Sequence, residues 1–241
     1  VETLDAARQS LEWVITHSVK EGPAGEPLSH STADVRLRAP LIPTALLICM
    51  GEMYRSHVDL AGRDYIPYPV FFTKMTRLAV GPDEWVEIPL AHEGPVVYGS
   101  ELTVVIGKEG YRIPEDRAME HVWGYTVFND MTLRGMISGG GGKEFDTGAP
   151  LGPWILPRDE IADPHNLKLS FRINGERVEM QDGNTKDMRF SISECIAEVS
   201  KWYTLRTGDI ITTGDVGAKE PAAKPGDLME AEVEGIGVLR N

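Results

Sequence analysis

The sequence predicts a β-rich α+β domain, and three observations carry that prediction. Strand-like apolar runs outnumber helical ones, and strands and helices do not alternate as they do in parallel-sheet proteins. An Asn174-Gly175 pair also sits between two alternating runs, as a type I′ hairpin turn does.

Leu4, Ala7, Leu11, Val14 and Ile15 recur at helical spacing, so an amphipathic helix opens the chain. Glycine and proline in residues 21–26 make a linker. Residues 1–40 are therefore expected to form a small N-terminal helical/β appendage, with the main domain over 41–241. Strands are expected at 34–37, 45–50, 70–75, 96–106, 123–129, 167–173, 209–213 and 228–233. Ser191 with Glu194 forms a capping box that starts a helix over 192–203, and a shorter helix fits 114–122.

At 41% hydrophobic and 25% charged, the 241 residues hold enough apolar material for a sizeable core. A net charge of -13 argues against nucleic-acid or anionic-membrane partners, which call for a basic patch. No apolar run approaches the roughly 20 residues of a membrane span. The N-terminus shows no secretory pattern, and Cys49 and Cys195 read as reduced core thiols, so a cytoplasmic protein is expected.

The chemistry concentrates where charge interrupts apolar strands. Glu101 lies inside the run 97–108, and Asp130 ends the run 124–130. A buried charge is costly unless it is paired, protonated or metal-bound. Lys143 follows the glycine run 139–142, whose light backbone restraint lets a loop move. The run lacks the spacing of a phosphate-binding loop and its following Ser/Thr. The histidines at 17, 30, 92, 121 and 165 have no metal-ligand spacing and read as structural.

These segments resemble the fumarylacetoacetate hydrolase (FAH) family. Glu101-Leu102 with Val105-Ile106-Gly107 carries the likeness, as do Gly124-Tyr125-Thr126 with Asn129-Asp130 and Lys143-Glu144-Phe145-Asp146-Thr147 with Pro150-Leu151-Gly152-Pro153-Trp154. Gln181-Asp182-Gly183-Asn184-Thr185, Lys224-Pro225-Gly226-Asp227 and Gly235-Ile236-Gly237 continue it in order to the C-terminus. The resemblance implies a mixed β-sheet roll, a homodimer, and a divalent cation, Mg²⁺ or Mn²⁺, on Glu101 and Asp130. It also implies a small anionic oxo-acid substrate. Lys143 and Arg134 fall at positions that face substrate oxygens, and Tyr54, Gln181, Thr185, Thr213 and Gly214 at other matched positions. His57 matches the histidine of the family's lid motif.

Three positions depart from the family pattern. Gly99 replaces a glutamate on the same strand face as Glu101, which thins the metal shell. Leu60 replaces the glutamate three residues after the lid histidine, which orients that imidazole in hydrolytic members. Asp215 replaces a threonine after Gly214 and offers a carboxylate to the cation, to Lys143 or to His57, a solvent-facing turn being the alternative. The resemblance implies metal-assisted enolate chemistry on a 2-oxo or 1,3-dicarbonyl acid, led by C–C bond hydrolysis of the acylpyruvate or fumarylpyruvate type. The change at Leu60 moves weight toward a decarboxylase, isomerase or dehydratase, none of which needs a lid-activated water. A non-catalytic binding scaffold with a decayed metal site is the reading from another class. Against it stands the retained set of Glu101, Asp130 and Lys143.

Overall fold

The computed structural model describes residues 2–136, 138–217 and 221–241, in two compact units, Val1–Leu37 and Arg38–Asn241. The first unit carries α1 (Glu2–Thr16) and a 3₁₀ turn over Thr32–Asp34. The strand expected at 34–37 is not formed. Ser31 caps the 3₁₀ turn by accepting from Ala33 N, and Val35 and Leu37 are exposed and pair with no strand among the described residues. Without a partner to fill its hydrogen bonds, alternation alone does not hold a strand.

The second unit runs β1 (Leu47–Gly51), α2 (Arg55–Ala61), β2 (Val70–Lys74), β3 (Ala79–Val80), β4 (Val96–Val97), β5 (Ser100–Ile106) and β6 (Val122–Asn129). It continues with β7 (Thr132–Leu133), α3 (Ser138–Gly142), β8 (Ala149–Pro157), β9 (Lys168–Ile173), β10 (Glu176–Arg177) and β11 (Gly183–Asn184). It closes with α4 (Ile192–Ser200), β12 (Ile210–Thr212), β13 (Met229–Val233) and β14 (Gly237–Arg240).

The main sheet has seven strands in the order β2-β1-β12-β5-β6-β8-β3, mixed because β1–β12 and β3–β8 are parallel pairs. A second sheet, β10-β9-β13-β14 with β11 on β9, packs its β13 against β5 and β6. Every residue of β5 is buried, as a strand covered on both faces requires. The result is the β-rich α+β fold expected, curled and mixed.

The run 96–106 does not form one strand. β4 pairs with β7, whereas β5 pairs with β6 and β12, so the chain changes sheets at Tyr98 and Gly99. Asn174 and Gly175 take φ of 52° and 82° in the β9–β10 hairpin. The capping box forms, with Ser191 Oγ accepting from Glu194 N and Glu194 Oε2 from Ser191 N. The 114–122 helix is a 3₁₀ run, Glu115–His121, whose three-residue period buries both Ala118 and His121. β8 went unexpected because Pro150, Gly152 and Pro153 read as breakers. Cys49 and Cys195 are buried and unbridged. Among the described residues, no helix is long and apolar enough to cross a membrane.

Candidate active site

Glu101 projects from β5, Asp130 follows β6, His57 sits on α2, and Asp215 lies in the turn after β12. The turn is pinned to β5. Thr213 N and Oγ1 both donate to Leu102 O at 2.9 Å, and Gly214 N donates to Glu101 Oε2 at 2.8 Å. Gly214 has φ +72°, a backbone region that side chains disfavour, and a Cβ there would meet Met53 Cβ at 3.1 Å. The turn thereby brings Asp215 beside Gly99.

Asp130 is held between two lysines. Lys143 Nζ donates to its Oδ2, and Lys74 Nζ stands 2.7 Å from Oδ1 as an ion pair. Burial by itself would raise the Asp130 pKa, and the two ammonium groups override it and bring it down to about 2. Burial likewise pulls Lys143 down, and Asp130 more than restores it, leaving it raised. Glu101 forms no ion pair among the described residues. Burial first, then the charges of Asp130 and Asp215, hold it well above the carboxylate range, and the charge of Lys143 lowers its pKa only weakly.

His57 Nδ1 lies 2.8 Å from Asp215 Oδ1. Burial depresses this imidazole, but the hydrogen bond and charge of Asp215 win, and its pKa is raised. The other Asp215 oxygen receives a long bond from Gln181 Nε2 at 3.4 Å, while the same nitrogen donates to Tyr98 O at 3.0 Å. Gln181 Oε1 is buried without a hydrogen-bond partner. Tyr54 is fully buried at the start of α2, with burial and then Glu101 pushing its hydroxyl pKa up.

Of the expected site residues, the structure thus brings His57, Tyr54, Glu101, Asp130, Lys143, Gln181, Thr213, Gly214 and Asp215 into one connected cluster. Arg134 acts on the cluster through its charge, which lowers the His57 pKa. Thr185 is engaged elsewhere, its Oγ1 accepting from Leu167 N at 2.8 Å. Of the partners open to Asp215, the structure shows His57.

Lys74 was not anticipated. Its side chain is wholly buried, and its ammonium also donates to Met131 O and Gly148 O. The signal was available: a lysine ends the apolar run Val70-Phe71-Phe72-Thr73, the same anomaly that singled out Glu101.

Among the described residues, no three His, Cys, Asp or Glu side chains converge as a preformed metal cage. The donor chemistry nevertheless fits a hard cation. Glu101 on β5 and Asp130 just past the end of the neighbouring β6 are oxygen donors, and Glu101 is crowded by negative charge that a divalent ion would offset. To admit one, Lys143 must leave Asp130. Its attachment suits that movement, because Gly140, Gly141 and Gly142 precede it with φ of 59°, 70° and 85°.

Fold and site together define an enzyme of an established class. Residues 47–241 match the Fumarylacetoacetate (FAA) hydrolase C-terminal family, and the chain belongs to that family. It is 36% identical to an oxaloacetate tautomerase of Bacillus subtilis (strain 168), over 98% of this chain and 80% of that protein. A crystal structure of 5-carboxymethyl-2-hydroxymuconate delta-isomerase from Mycobacterium smegmatis superposes with a TM-score of 0.77 at 33% identity, covering 92% of this chain and 87% of that one. Maleylpyruvate hydrolase from Sphingobium sp. SYK-6, solved with manganese(II) and pyruvate, gives a TM-score of 0.79 at 28% identity, covering 98% of this chain and 81% of that one.

Proposed function

We propose that this enzyme interconverts the keto and enol forms of a small dicarboxylic 2-oxo acid of the oxaloacetate type. The observation that carries the reading is the pairing of His57 with Asp215, 2.8 Å apart, beside Lys143. A tautomerisation needs one group to move a proton at carbon and a cation to steady the oxygen, and it needs no attacking water. His57 takes the proton from the carbon next to the carbonyl, through the ring nitrogen that Asp215 leaves free. Lys143 faces the enolate oxygen, where its charge is worth most as negative charge develops, and gives that oxygen the proton that completes the enol; the proton taken up by His57 and the one given by Lys143 are then exchanged through solvent. Arg134 holds a substrate carboxylate, because its planar fork matches one.

Glu101 and Asp130 would hold Mg²⁺ or Mn²⁺. Once bound, the ion supplies further positive charge against the enolate. The tautomerase and isomerase names borne by relatives support this order of preference. C–C bond hydrolysis, the reaction that the family resemblance puts first, ranks second. It is kept because a maleylpyruvate hydrolase shares the fold at a TM-score of 0.79.

The test is direct. The decay of the enol's ultraviolet absorbance on mixing oxaloacetate into buffer should accelerate with the enzyme and with added Mn²⁺. Efficient cleavage of acylpyruvates, with no acceleration of the enol–keto exchange, would move the assignment to the hydrolase. The homodimer implied by the family resemblance is checked by light scattering.

A further inference from the structure

We infer that Asp215 is the positioning residue of His57, and that positions 99 and 215 are sterically coupled. Asp215 stands in space that only a glycine at position 99 leaves open. This rests on the reading of His57 as the proton-moving group.

The geometry is specific. A Cβ built on Gly99 would lie 2.0 Å from Asp215 Oδ2 and 2.5 Å from its Cγ, closer than atoms of folded proteins approach. The obstacle cannot swing aside freely. The turn that carries Asp215 is pinned to β5 through Thr213 and Gly214, and Oδ1 is engaged by His57. Position 99 is confined as well, since Gly99 N donates to Asn129 Oδ1 and Gly99 O accepts from Asp130 N. Any side chain at 99 therefore pushes the Asp215 carboxylate off His57. Glycine here is a requirement of the neighbouring carboxylate, since Gly99 is not among the residues of positive φ.

No other carboxylate on α2 serves the histidine. Leu60, one turn on, has none, and Asp59 accepts from the Tyr65 hydroxyl. A carboxylate at Asp215 can only accept, so Nδ1 carries the hydrogen and Nε2 presents its lone pair to the substrate. Asp215 thus supplies from the turn after β12 what a helix carboxylate three residues after His57 would otherwise supply.

Two measurements test this. The first needs no activity. Nitrogen-15 NMR of the histidines, with His57 assigned through His57→Gln, should show the Nδ1–H tautomer in the native protein at alkaline pH. In Asp215→Ala and in Gly99→Ala it should show Nε2–H, the form imidazole prefers in water. Nε2–H in the native protein would overturn the inference, whatever the substrate.

The second is a mutant cycle on enol–keto exchange. Gly99→Ala and Asp215→Ala should each lower the turnover rate by about tenfold to a hundredfold, within the range of acid–base catalysis. The double variant should be no worse than Asp215→Ala alone. Leu60→Glu introduced into Asp215→Ala should recover part of the rate by returning a carboxylate to one turn after His57. Multiplying losses with no recovery would make Asp215 merely structural and sink the coupling. A native protein without enol–keto activity would defeat the proposed function while leaving the NMR result to decide the pairing.

Discussion

Replacing Glu101 with glutamine should make the metal-free protein more stable while abolishing its metal response. Glu101 is 3% exposed, receives the Gly214 amide, and is crowded by the charges of Asp130 and Asp215. Replacing buried ionic groups by uncharged residues of similar volume is often neutral or stabilising, by up to about 4 kcal/mol, and the charges of Asp130 and Asp215 put Glu101 toward the stabilising side. Against this, the bond from Gly214 loses its charge assistance, a cost of about 1 kcal/mol. The net gain is about 2 kcal/mol, or a melting temperature about 6 °C higher for a domain of this size. The pH dependence follows from the direction of the shift. The folded-state pKa is raised above the ordinary 4.5, so the unfolded chain gives up this proton first as pH rises. The penalty therefore grows from pH 4.5 upward until the folded value is passed, and it disappears below pH 4.5. Thermal melts of both proteins in chelator should diverge at pH 8 and converge at pH 4. Mn²⁺ should then reverse the order, adding about 2.7 kcal/mol to the native protein at a hundredfold excess over its dissociation constant and little to the variant. If Glu101→Gln melts below the native protein at pH 8 in chelator, Glu101 is not a strained carboxylate, and the argument that the site awaits a cation fails.

Lys74→Met should destabilise the fold by about 3–5 kcal/mol, because it leaves Asp130 short of a cation and two carbonyls short of a donor, read as a fall of roughly 10 °C in melting temperature. Lys143→Ala also takes a cation from Asp130, but from a side chain 28% accessible, where water can replace it, so it should lower the melting temperature by less than Lys74→Met does while lowering turnover about a hundredfold in enol–keto exchange. For His57, whose pKa is raised from 6.5, the acidic limb of the pH–rate profile should lie above pH 6.5. Asp215→Asn removes the charge that raises the imidazole and keeps the burial that lowers it, so that limb should move to lower pH.

What could be read from the sequence was whatever announces itself within one strand. Glu101 and Asp130 stood out because a carboxylate in a buried apolar run is expensive, and the same reasoning applied to residues 70–74 would have found Lys74. The β8 strand escaped because its prolines and glycine mimic a loop; pairing with both β6 and β3 holds it in the main sheet regardless. The false strand at 34–37 fails for the complementary reason, since it has the alternation and lacks the neighbour. The site's particular character lies at a third level, beyond any local pattern. Gly99 and Leu60 each read alone as a loss, and Asp215 reads as a turn residue. Only the fold shows that residues 57, 99 and 215 meet in space. There the missing side chain at 99 is the room that the carboxylate at 215 occupies, and the carboxylate absent at 60 is replaced by that same group. The three positions settle into one arrangement around His57, whose ring is hydrogen-bonded from the turn after β12 and not from its own helix.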